Sequence, residues 1–114
     1  MSTQEMREPT FLVLASLAEG RKHGYGIIKD AARLSDGRVE LKVGTLYTAL
    51  DRLERQGLVA TAGEEVVDGR NRRYYELTDA GASDLGAEIA RQRANVERVT
   101  ATLAHRIPRP AVAQ

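Results

Sequence analysis

The chain has 114 residues, of which 42% are hydrophobic and 29% charged. That composition suits one soluble folded domain and excludes a disordered chain. It contains no Cys, which removes disulfides, thiolate nucleophiles and Cys-based zinc sites together, and it fits a reducing cytoplasmic setting. The 17 Lys and Arg against 16 Asp and Glu leave a net charge of +1, too little to coat nucleic acid by bulk charge alone.

The first predicted element is a helix over residues 9–19, PTFLVLASLAE. Pro9 suits a first helical turn, and Gly20 stands where a helix stop is expected. Its apolar residues nearly encircle it, so it belongs in the core. The run FLVLASLA is far too short to span a membrane. Glu5, Arg7 and Glu8 before it lack the positive charge of a secretion signal.

A second helix is predicted over 24–35, with Ile27, Ile28, Ala31, Ala32 and Leu34 on its apolar side and Ser35, Asp36 and Gly37 as the break. After a short extended piece, Val39 to Leu41, comes a third helix over 44–57. Leu46, Leu50 and Leu53 share one face of it; Thr45, Thr48, Arg52 and Arg55 share another. The period then changes. Residues 58–66 and 72–78 read as strands joined through an Asp68-Gly69 turn, which is a hairpin signal.

A last helix is predicted from Asp79 to Arg106, with Thr78 as its N-cap. Ala82, Leu85, Ile89, Gln92, Val96, Val99 and Leu103 step alternately by three and four, a heptad seam polar only at Gln92. A helix of that length, about 40 Å at 1.5 Å per residue, is more than so small a domain can cover. Leu85, Ile89, Gln92, Val96, Val99 and Leu103 are therefore assigned to a homodimer interface. Residues 107–114, rich in Pro, read as a disordered tail.

Three helices, a hairpin and a long helix make the fold class mostly α with a small β-hairpin: a winged helix-turn-helix over residues 1–78 and a dimerisation helix over 79–106. An α-helix fits the major groove of double-stranded DNA. The third helix offers Thr45, Tyr47, Thr48 and Arg52 near its N-terminal end, with Lys42 just before it. Helix N-termini also favour phosphate. The wing adds Arg70, Asn71 and Arg72, with Arg73 following and Asp68 the one acid nearby. Strand alternation sends Arg72 and Tyr74 to one side and Arg73 and Tyr75 to the other, so at least one of the two tyrosines is expected in the core. Arg21 and Lys22 fit phosphate contacts and plain surface roles equally well, and Tyr25 fits either inward packing or a hydroxyl bond to phosphate.

The segments HGYGI (23–27), GTLYTALDRLERQGLV (44–59) and GRNRRYYELTDAG (69–81) together resemble the PadR family of bacterial transcriptional regulators. The resemblance covers roughly residues 9–105 and implies a homodimeric winged-helix repressor whose third helix enters the major groove while the wing lies on the backbone or minor groove. Val43 and Thr48 stand where that family often has Pro. The last helix carries no aromatic residue, so the resemblance does not extend to stacking of flat ligands at a dimer centre.

His23 and His105 are too few for a metal centre, and no nucleophile, base and acid assemble into a catalytic set. No cofactor and no enzymatic activity are expected. His23 reads as a turn or packing residue. The expected partners are double-stranded DNA and a second copy, with no membrane; a small-molecule inducer is a third possibility that the residues leave open. The competing reading is a winged-helix protein-interaction module without DNA binding, against which the basic wing argues.

Overall fold

The computed structural model describes residues 6–106. Helix α1 (Glu8–Ala18) begins with Pro in its first turn and buries Leu12, Val13, Leu14, Ser16 and Leu17. Its apolar residues point around the axis because it has neighbours on several sides: it packs against α2 (Gly24–Leu34), against α4 (Asp79–Arg106) and against strand β3 (Arg70–Leu77). Helix α3 (Val43–Arg55) seats Leu46, Leu50 and Leu53 into the same core, where Ile27, Ala31, Val59 and Tyr75 meet them. Side chains such as Leu14, Ile27 and Leu50, fully removed from water, each contribute about 1.5–3 kcal/mol.

Strands β2 (Val59–Val67) and β3 form the expected hairpin, with Val67 opposite Arg70. Asp68 and Gly69 both take positive φ, 53° and 76°. That is the two-residue turn whose twist matches the flanking strands, and the Asp-Gly pair is what makes it accessible. The sheet has a third strand that the sequence reading omits. Lys22 and His23 (β1) pair with Tyr75 and Tyr74, giving the order β1-β3-β2. A two-residue strand carries no periodicity of its own; only its long-range partner defines it. A register shift between Thr61 and Glu64 kinks β2, and Arg21 donates to the Ala62 carbonyl there at 2.8 Å.

Two glycines fix how the elements approach. A Cβ at Gly24, the first residue of α2, would collide with the Tyr47 hydroxyl of α3. A Cβ at Gly81 would collide with the Leu58 carbonyl oxygen and lie 2.7 Å from Leu77. Helix α4 thus starts pressed against the junction of α3 and β2. Thr78 caps it as expected, accepting from the Gly81 amide at 3.0 Å and donating to the Gly57 carbonyl at 2.7 Å. The inward residue of this first turn is Gly81, and Ala82, expected inward, is exposed. The close approach to Leu58 rotates the helix so that Gly81, Leu85 and Glu88 face the domain.

Polar interactions tie the edges down. Asp30 of α2 accepts from Ser16 at 2.7 Å and pairs with Lys22 and with Arg33, which also reaches Glu19 at 2.9 Å. Burial pushes the Asp30 carboxyl up, but the hydrogen bonds from Lys22, Ser16 and Arg33 outweigh it and hold it below the usual aspartate range. Lys22, read from sequence as a surface or phosphate-contacting residue, is thereby committed to the fold. The proposed tail at 107–114 lies outside the described residues. Among those described, no helix is long and apolar enough to cross a membrane.

Candidate nucleic-acid interface

Helix α3 turns its leucines inward and leaves Lys42, Val43, Gly44, Thr45, Tyr47, Thr48, Asp51 and Arg52 exposed. Lys42 occupies the N-cap position but makes no side-chain cap bond, and the first amide to find an intrahelical carbonyl is Leu46, at 2.9 Å. The amides ahead of it carry the positive end of the helix dipole.

The exposed face has two shoulders. On the α1 side, Thr45, Thr48 and Arg52 border a shallow cleft with Arg7, Pro9 and Thr10. Arg52 donates to the Thr10 hydroxyl at 2.9 Å, so its guanidinium leans toward α1. On the wing side, Tyr47, Thr48, Asp51 and Glu54 border a second cleft with Arg73 and Tyr75. Tyr47 is 41% exposed, its ring 6.5 Å from Tyr75 and its hydroxyl against Gly24. It both packs the domain and edges the face.

The wing splits its residues as strand alternation requires. Tyr75 is buried and Tyr74 half-buried. Arg73 shares the Tyr75 side and is the arginine beside α3, a placement the sequence reading of the site missed although alternation from a buried Tyr75 implies it. Arg72 lies on the opposite side, with its Nη1 3.3 Å from His23 Nε2. Asn71 donates to Glu64 at 2.8 Å, and Arg73 lies 3.9 Å from the same carboxylate. Glu64 and Glu65 stand directly across from Arg73 and Arg72. The wing is therefore less basic than its tip sequence implies, because acids distant in sequence come opposite the arginines in register. Arg70, at the hairpin tip, is exposed.

On α4, Leu85 is buried within the protomer, so this first residue of the expected interface serves the domain's own core. Glu88 is buried beside it. Arg91 and Gln92 hydrogen-bond its carboxylate and hold it below the usual glutamate range. From there outward the seam is uncovered: Ile89, Val96, Val99 and Leu103 are 40–63% exposed.

Residues 13–87 match the model of the transcriptional regulator PadR-like family. The chain belongs to the PadR-like family. PadR-like proteins are transcriptional regulators and not enzymes, which agrees with the missing catalytic set. The transcriptional regulator Rv3488 of Mycobacterium tuberculosis is 37% identical over 73 residues, 64% of each chain. A PadR family transcription regulator from Clostridium difficile R20291 superposes with a TM-score of 0.71 at 28% identity, over 85% of this chain and 99% of that one. Bacillus subtilis PadR, solved in complex with operator DNA, shares the fold with a TM-score of 0.64 at 21% identity, over 73% of this chain and 47% of that one. The segments that carry PadR resemblance now have a physical reading. HGYG and GTLY meet where Gly24 admits Tyr47, and the Gly-Leu after α3 meets the Thr-Asp-Ala-Gly segment where Gly81 admits the Leu58 carbonyl.

Proposed function

We propose that this PadR-like regulator acts as a homodimer that binds an inverted-repeat operator in double-stranded DNA and represses transcription by obstructing polymerase. Residues 1–78 form the DNA-binding unit and 79–106 supply the dimer helix. The observation that carries the reading is the position of the exposed, uncapped first half of α3 beside an arginine-bearing hairpin. Thr45 and Thr48 offer hydroxyls and methyls to base edges, Arg52 a guanidinium, and the free amides a phosphate site. Lys42, Arg70, Arg72 and Arg73 reach for the backbone on either side. Asn71 and Tyr47 hold the wing and helix in place and border the same face.

The uncovered seam of Ile89, Gln92, Val96, Val99 and Leu103 supports pairing of two copies, since a long apolar stripe left in water is costly. A two-fold pair sets two α3 helices about one DNA turn apart, roughly 34–36 Å. A small-molecule effector would act by favouring a dimer geometry that changes that spacing.

Gel shifts against duplex DNA in dilute salt test the reading. Arg52→Ala is expected to weaken binding and alter sequence preference, and Arg70→Ala with Arg72→Ala to weaken it across sequences and flatten its salt dependence. Unchanged binding in both variants would reject the site. No binding by the wild type to any duplex would favour a protein-interaction module on the same fold.

A further inference from the structure

We propose that His23 is a positioning residue for the wing: its imidazole has one acceptor nitrogen to divide between the N-terminus of α2 and Arg72, and protonation releases both. His23 is the N-cap of α2, and the Gly26 amide donates to its Nδ1 at 3.3 Å. On the other side of the same ring, Arg72 Nη1 lies 3.3 Å from Nε2. Both neighbours are donors. A neutral imidazole carries one N–H and one lone pair, so it accepts from only one of them at a time. When Nδ1 caps the helix, Nε2–H faces the guanidinium and Arg72 is let go. When Nε2 accepts from Arg72, the cap is lost.

The ring is held in place for this role. Tyr25 of α2 lies parallel to it at 6.5 Å, and Tyr74 of β3 meets it edge-on at 5.5 Å. The charged and titratable groups around it come from every neighbouring element. Arg72 lies on β3; Glu65 on β2 accepts from the Tyr74 hydroxyl at 2.7 Å; and Arg21, just before β1, stacks over Tyr74 at 4.3 Å. Lys22 in the same strand turns away to Asp30 and Glu19. Burial and the Arg72 charge together keep the imidazole less basic than usual, against the opposing pull of Glu65.

The functional consequence rests on the DNA reading above. A phosphate near the wing draws Arg72 off His23 and places negative charge near the ring. Both changes favour the imidazolium. Binding therefore takes up a proton, and affinity rises as pH falls through the His23 titration, with about tenfold per pH unit as the ceiling for one proton. Arg72 is thus a conditional phosphate contact, set by a residue that touches no DNA.

Two measurements test this. The first needs no DNA: proton NMR follows the imidazole titrations, with His23 told from His105 by its disappearance in His23→Asn. Arg72→Ala is expected to shift the His23 titration to higher pH; an unmoved titration would overturn the proposal. In the second, affinity for duplex DNA from upstream of the protein's own gene is measured at fixed salt from about pH 8 to about pH 5.5, the range where histidine titrates. Asparagine preserves a capping oxygen but cannot titrate, so His23→Asn is expected to flatten the pH slope seen in the wild type. A variant slope equal to that of the wild type would overturn the proposal. A wild type that binds no duplex would instead refute the DNA reading, and the NMR shift then decides the His23–Arg72 coupling alone.

Discussion

Single residues here act through close approach and compensated burial. Gly81 lets α4 touch the Leu58 carbonyl, so Gly81→Ala has no room: the backbone itself must move. A loss of about 1–3 kcal/mol is expected in urea denaturation, the usual cost of overpacking. Gly86→Ala, on the same helix with nothing near its Cβ, is the control and is expected to gain about 0.5–1 kcal/mol. Equal stabilities would show that the contact at Gly81 does not constrain the fold. Asp30 gives a pH prediction. Its carboxyl titrates below the ordinary range when folded, so its stabilisation is present above the unfolded-state value and is lost as pH falls through the folded one. Asp30→Asn is expected to cost about 1–3 kcal/mol at neutral pH, the loss of charge-assisted hydrogen bonds. The gap to the wild type should close as acid protonates Asp30. A gap independent of pH in thermal melts would mean that the charge is not what Asp30 contributes.

At the scale of elements, the helices and the hairpin were legible because their signals are local. Leucines at 46, 50 and 53 mark α3's buried face, and Asp68-Gly69 marks the turn by a need for positive φ. What escaped is set by distant partners. Strand β1 exists only through β3. The inward role of Gly81 follows from the Leu58 carbonyl, and the same helix phase turns Glu88 inward. The candidate site follows the same division. Thr45, Thr48 and Arg52 fall on one exposed shoulder as their spacing implies. The arginine that reaches α3 is Arg73, because buried Tyr75 fixes the phase of β3. Arg73→Ala is accordingly expected to weaken DNA binding across sequences and to lower the salt slope by about one. An unchanged slope in filter binding would put Arg73 outside the interface.

For the whole molecule, the decisive feature is the division of α4. Its first turns, through Leu85 and Glu88, belong to the domain core; its remainder presents Ile89, Val96, Val99 and Leu103 to water. Under the proposed pairing, a helix anchored at Gly81 against the Leu58 carbonyl, just after α3, would tie the dimer geometry to the spacing of the recognition helices. Hydroxyl-radical footprinting on the DNA upstream of the protein's own gene measures both at once. Two protected patches related by two-fold symmetry are expected, centred about 10–10.5 bp apart or a multiple of it, and lost at the same concentration in Val96→Asp with Val99→Asp. A single patch, no protection, or a footprint that survives those two substitutions would contradict the proposed pairing.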